Sequence, residues 1–315
     1  MIRRFFIMLL ALCVLCGSVS AETIRWVDFA VPYESLKYAM DADIRTYETD
    51  QHISWIDTLA LSACRTGGKC NLNSVKKAVR DLQSDKSMEE LLGSQMKYYS
   101  YYHQSYSAAL GGLLGNFSIE VHGEEKPYYG LKAFSPIAAG YGYNHYDDFG
   151  NQRSFGFARK HLGNDMMGSL GTPIVAVEGG VIEAMGWNRY GGWRIGVRSF
   201  DSKRYYYYAH LQKDHPFADG LQAGDTVQAG DLLGFMGRTG YSDTENVNNI
   251  DTVHLHFGMQ LIFEESQKEC LSEIWIDVYD IVRLLNEHRC SYRKNGGSWE
   301  RVYTFSDLDV ENYPK

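Results

Sequence analysis

Two hydrophobic patterns succeed one another along this chain. Between about residues 30 and 110 the apolar positions recur at helical spacing. Val75, Ala78, Val79 and Leu82 stand at i, i+3, i+4 and i+7 behind Asn73 and Ser74, and Leu36, Ala39, Met40 and Tyr47 form a similar stripe. Ser87 followed by Glu90 has the form of a capping box and predicts a further helix through Leu91, Leu92 and Met96. Tyr98, Tyr99, Tyr101, Tyr102 and Tyr106 cluster in the same region, where large rings with a polar tip serve core or interface packing.

After about residue 125 the pattern changes to short β-prone runs: Thr172 to Val177, Val181 to Trp187, Trp193 to Phe200, Arg204 to Leu211 and Val253 to Phe263. Gly179-Gly180, Gly191-Gly192, Gly224 and Gly230 supply the turns between them. Ile274 to Leu285 reads as helical, and the remainder as a polar tail. No fixed-period repeat is present. The expected fold class is α+β, with an N-terminal helical domain followed by a mainly antiparallel β domain.

In the last of these strands Leu255, Phe257, Met259, Leu261 and Phe263 alternate onto one face, which must be the buried one. His254 and His256 therefore share the opposite face. The run Arg204 to Leu211 alternates similarly, with Tyr206, Tyr208 and His210 on one side and Tyr205, Tyr207, Ala209 and Leu211 on the other. A third piece, His161-Leu162-Gly163-Asn164-Asp165, sets a histidine and a carboxylate four positions apart across a glycine. Zinc accepts imidazole nitrogen and carboxylate oxygen, and a catalytic zinc keeps three protein ligands with water in the fourth position. Histidines beside such a shell titrate near neutral pH and are suited to proton transfer.

In that order, the pieces H-x-G-x-D (His161, Gly163, Asp165), Y-A-H-L (Tyr208 to Leu211) and H-L-H-F (His254 to Phe257) resemble the lysostaphin/LytM-type zinc metalloendopeptidases, which cleave peptidoglycan cross-links. Gly171 to Val177, the turn from Gly224 to Asp231 and Gly234 to Gly240 agree with that family, and the likeness covers about residues 130 to 263. The resemblance implies one zinc ion held by His161, Asp165 and His256. It leaves His210 and His254 to share the acid, base and oxyanion-stabilising roles. It also implies a mostly antiparallel sheet with the metal in a groove between loops. Two departures stand out. Some members carry a tyrosine shortly before the first ligand where this chain has Phe155 and Phe157, and the polar loop from Tyr241 to Val253 is longer than in compact relatives.

Composition narrows the setting. The 315 residues are 44% hydrophobic and 22% charged with only six prolines, which suits a folded chain with a sizeable core. A net charge of −8 gives no support to nucleic-acid binding. Arg3 and Arg4, the apolar stretch Phe5 to Cys16 and the small residues Val19-Ser20-Ala21 have the layout of a cleaved signal peptide, with an uncleaved membrane anchor as the alternative. The expected location is outside the cell, in a bacterial envelope, with no stable membrane span after cleavage. Beyond the signal, Cys64, Cys70, Cys270 and Cys290 remain, and proximity favours the pairs Cys64–Cys70 and Cys270–Cys290.

The expected organisation is a signal peptide over 1–21, a helical domain of unassigned role over 22–125, a zinc metallopeptidase domain over 126–263 and a C-terminal helical extension and tail over 264–315. The function to which these readings lead is a secreted zinc endopeptidase with peptidoglycan peptides as substrate. The competing function is a catalytically silent relative that binds cell wall or regulates another hydrolase. His145, Asp147 and Asp148 read as a solvated polar loop rather than a second metal site, and His52, His103, His122, His215 and His288 have no partner at ligand spacing.

Overall fold

A computed structural model describes residues 24–268 and 272–310. The expected signal peptide lies outside the described residues. The first third is helical: α1 (Tyr33–Thr46), α2 (Trp55–Thr66), α3 (Leu72–Leu82), α4 (Met88–Leu92) and α5 (Tyr99–Leu110). Capping boxes open two of them. Asn71 and Ser74 start α3, two residues before the Asn73-Ser74 start read from the sequence, and Ser87 and Glu90 start α4 as predicted. The predicted run to Met96 is broken, because Gly93 turns to φ +52° after Leu92 and the chain continues as a 3-10 helix over Gly93–Tyr98.

The strands that follow are β1 (Leu114–Val121), β2 (Glu124–Leu131), β3 (Asn144–His145), β4 (Gln152–Phe155), β5 (Phe157–Lys160), β6 (Asn164–Met167), β7 (Pro173–Val175), β8 (Gly180–Asn188), β9 (Gly192–Ser199) and β10 (Arg204–Ala209). Then come β11 (Thr226–Val227), β12 (Leu232–Phe235), β13 (His254–Leu261), β14 (Ile274–Ile276), α6 (Tyr279–Leu285), β15 (Tyr292–Asn295), β16 (Ser298–Arg301) and β17 (Thr304–Asp307). The main sheet is antiparallel in the order β11-β8-β9-β10-β13-β6-β3, with β14 also paired to β13. This is the helical-then-antiparallel α+β arrangement expected from the two hydrophobic patterns.

Three parts of the chain differ from their sequence reading. Ile274 and Ile276 belong to a strand rather than a helix, because the free edge of β13 takes them up opposite Met259 and Leu261. The expected polar tail contributes β17, which pairs with β1, and the buried Lys132 ammonium reaches Asp307 at 2.8 Å. The hairpin β1–β2 spans residue 125, where the change of pattern set the expected boundary.

One face of the main sheet is dry. Tyr206 and Tyr208 of β10 and Leu255, Phe257, Met259 and Leu261 of β13 are fully buried there, in a core continuous with Leu36, Leu59 and Tyr106 of the helices. Arg204, also fully buried, ties the layers together. Its guanidinium pairs with Glu178 at 2.7 Å and Asp201 at 2.6 Å and donates to the Ala108 carbonyl near the end of α5 at 2.6 Å. Of the clustered tyrosines, Tyr106 is core while Tyr98 remains half exposed.

The expected Cys64–Cys70 disulfide is absent, and Cys64, Cys70 and Cys290 are free and buried. Cys64 packs with Leu61, Ala78 and Leu92, whereas Cys70 points to Tyr106 in the central core, so the two thiols serve different clusters. Cys270 lies outside the described residues.

Candidate active site

The polar face of the sheet carries the chemistry. Register sets His256 opposite Ala209 on one side and Asp165 on the other. His161 precedes β6 in the turn that leads from β5. Gly163 permits that turn: a Cβ there would lie 2.6 Å from the Phe257 carbonyl oxygen and 2.8 Å from the His256 ring. The result is a convergence of three donor atoms. His161 Nε2 lies 2.7 Å from His256 Nδ1 and 3.0 Å from Asp165 Oδ1, and His256 Nδ1 lies 3.2 Å from Asp165 Oδ1.

Tetrahedral zinc with bonds of about 2.0–2.2 Å would place its ligand atoms about 3.3 Å apart, close to this triangle. Two imidazole nitrogens and one carboxylate oxygen are also the donor types that zinc takes. His161, Asp165 and His256 therefore fit one such ion, and among the described residues they are the set of three or more His, Cys, Asp or Glu side chains whose donor atoms converge, within 4.8 Å of one another.

His254 and His210 flank this triangle. His254 Nδ1 donates to the Thr252 carbonyl at 2.8 Å, which leaves Nε2 unprotonated in the neutral ring and 3.8 Å from Asp165 Oδ1. His210 Nδ1 donates to the Thr239 carbonyl at 2.9 Å, and its ring centroid is 4.7 Å from that of His254. The expectation that His210 shares a face with Tyr206 and Tyr208 fails. At φ +61° the backbone of His210 leaves the strand alternation, and its ring joins the groove while both tyrosines stay in the core. All five sequence-selected residues thus come together.

Asp148 is the partner that sequence reading placed in a solvated loop. Instead its carboxylate is mostly buried, with Oδ2 3.2 Å from His161 Nδ1 and Oδ1 accepting from the Asp165 backbone N–H at 3.1 Å. Arg153 Nη2 bridges Asp148 Oδ2 at 2.5 Å and Asp165 Oδ2 at 3.1 Å. Nothing in local spacing announced either residue, since Asp148 lies 17 positions before Asp165. His145, from the same loop, is part-buried rather than solvated, its ring tilted against that of Tyr279 at 4.5 Å.

These contacts set the electrostatics. Burial drives the His161 pKa down, but the hydrogen bonds and charges of Asp148 and Asp165 outweigh it and lift the value to about 9. Burial raises Asp165, yet its bonds to His161 and His256 hold the carboxyl far below the usual range. Burial, reinforced by His254 and His256, pushes His210 well below its ordinary value, and burial also lowers His256.

The five residues line a groove of about 580 Å³ together with Tyr190, Arg194, Tyr207 and Tyr241. None of its lining comes from α1–α5, which pack beneath the sheet. The long loop after Gly240 does build one wall: Tyr241 stacks on Phe155 at 5.1 Å, and Asn246 accepts from the Trp193 indole at 2.9 Å.

Comparison with known proteins agrees with this geometry. Residues 159–268 match peptidase family M23. The L-Ala–D-Glu endopeptidase of Bacillus subtilis (strain 168) is 39% identical over 124 residues, 39% of this chain and 36% of that protein. Lysostaphin of Staphylococcus simulans is 37% identical over 98 residues, 31% of this chain and 17% of its own length. The chain thus spans well under half the length of these curated relatives. A crystal structure from Ruminococcus gnavus ATCC 29149, described as "a putative glycyl-glycine endopeptidase lytM", superposes with a TM-score of 0.55 at 25% identity, covering 86% of this chain and 93% of that one. Through residues 159–268 the chain carries a peptidase family M23 domain of the lysostaphin/LytM kind.

Proposed function

We propose that the chain is an exported zinc-dependent endopeptidase that hydrolyses peptide bonds of bacterial peptidoglycan, with residues 126–263 as the unit that carries the chemistry. The observation behind this reading is the convergence of His161, Asp165 and His256 at the floor of a groove, with two further imidazoles held ready beside them. Relatives that are an L-Ala–D-Glu endopeptidase and a glycyl-glycine endopeptidase support the substrate class.

In this proposal His161, Asp165 and His256 hold the ion. Zinc in such a shell supplies Lewis acidity and makes water nucleophilic near neutral pH. His210 and His254 then do the proton work. With Nδ1 committed to backbone carbonyls, each neutral ring turns an Nε2 lone pair toward the site, suited to take a proton from the attacking water and return it to the leaving amine. Once protonated, the same nitrogens donate to the oxyanion. Asp148 keeps the proton of His161 on Nδ1, so that Nε2 faces the ion. Among the described residues no helix is long and apolar enough to cross a membrane.

The test is metal analysis of the purified protein followed by digestion of isolated peptidoglycan by wild type and His254→Ala. One zinc per chain, new amino termini from wild type and a loss of at least about 100-fold in the variant are expected. A protein that takes up no zinc, or a zinc-loaded wild type that releases no amino termini, overturns the proposal.

A further inference from the structure

Charge in the groove is unevenly satisfied. Its acidic residues are engaged: Asp165 by Arg153 and the histidines, Glu183 by Lys268 and Arg198, and Glu273 by the Trp275 indole. Two of its arginines each keep one open donor. Nη1 of Arg194 and Nη1 of Arg159 are buried and have no hydrogen-bond partner. A buried donor left unpaired costs about 1–3 kcal/mol, and more when charged, so native proteins seldom keep one without a use for it.

The Arg159 guanidinium is held in place. Arg159 donates from Nη2 to the Tyr241 hydroxyl at 2.9 Å and lies over the rings of Tyr190 and Tyr241 at 4.9 and 5.1 Å. Arg194 rises from β9 next to Ile195, which pairs with Tyr208, while neighbouring Ala209 pairs with His256. Arg194 is therefore two strands from His256, about 10 Å at the usual strand spacing and within the reach of a few peptide residues. The positive charges of both arginines reach the Tyr207 hydroxyl, which also accepts from Asn188 Nδ2 at 3.1 Å. Two planar cationic forks with free N–H groups around a hydroxyl form a receptor for a carboxylate, which accepts bidentate bonds from arginine.

We propose that Arg194 and Arg159 form a carboxylate-recognition subsite, so that the groove selects peptides bearing a free carboxylate near the bond to be cleaved over uncharged runs such as glycine chains. This specificity rests on the peptidase reading above. An amide in place of the carboxylate offers one acceptor and no charge, and both guanidinium groups would remain poorly paired.

The test uses two fluorescently labelled peptides containing an L-Ala–D-Glu bond, one with its carboxylates free and one with them amidated. Anisotropy measures binding, and release of new amino termini measures turnover. Wild type is expected to favour the free acid by about tenfold or more in both. Arg194→Gln should erase that preference, and Arg194→Lys, which keeps the charge without the fork, should retain part of it. Equal treatment of the two peptides by wild type, or an undiminished preference in folded Arg194→Gln, overturns the subsite. Preferential binding of the acid without cleavage of either peptide upholds the subsite and counts against the peptidase reading; equal binding with cleavage of both does the reverse.

Discussion

Asp148 Oδ2 stands 3.2 Å from His161 Nδ1, while the other oxygen of the same carboxylate takes the backbone N–H of Asp165 at 3.1 Å. One side chain thus braces two of the three proposed ligands. Such outer-shell carboxylates typically contribute about 10–100-fold in metal affinity. Asp148→Asn should therefore weaken zinc binding by that range in a chelator competition titration, with an unchanged circular dichroism spectrum. Unaltered zinc affinity would remove Asp148 from the site.

Gly163 is a packing requirement of the motif. Its missing Cβ would meet the Phe257 carbonyl oxygen at 2.6 Å and the His256 ring at 2.8 Å, so Gly163→Ala must push β6 away from β13. Zinc content and activity should both fall by at least about tenfold, since a displacement of about 1 Å is enough to spoil a catalytic geometry. A fully loaded, fully active Gly163→Ala protein would show that the turn yields at no cost.

Arg204 is buried among Glu178, Asp201 and the carbonyls at the end of α5. Arg204→Ala leaves the Glu178 carboxylate in the core without its partner, and breaking a buried pair in this way costs about 3–5 kcal/mol. Urea denaturation should record a loss of that size, and a change below about 1 kcal/mol would contradict the clamp.

Acid should destabilise the fold through buried histidines outside the cluster. Burial lowers His145 to about 4 and also lowers His288. The folded chain resists protons that the unfolded chain binds below about pH 6.5, so stability falls as pH drops from about 6.5 towards 4, by up to about 3 kcal/mol from His145 alone. His161 in the metal-free protein acts in the opposite sense: its pKa of about 9 contributes stability below about pH 6.5 that is lost as pH rises through 9. Urea melts at pH 7 and pH 4.5 should show a smaller acid loss for His145→Phe, which keeps a ring against Tyr279, than for wild type. Parallel losses would assign the acid sensitivity elsewhere.

The amino-acid sequence by itself determined the order of the helical and β regions, the capping box at Ser87, and the common face of His254 and His256. Each depends on local periodicity, which backbone geometry converts directly into direction. The pieces around His161, His210 and His254 were also legible, because their residue types and spacing suit a metal shell. Tertiary structure alone decided what those pieces meet. It turned His210 out of its strand at φ +61°, brought Asp148 back from a loop to His161, and placed Cys64 and Cys70 in separate clusters. It also took Ile274 and Ile276 into an edge strand and left Arg159 and Arg194 with open donors in one groove. None of these leaves a periodic trace, since each is a contact between segments distant in the chain or a single backbone angle set by what packs around it.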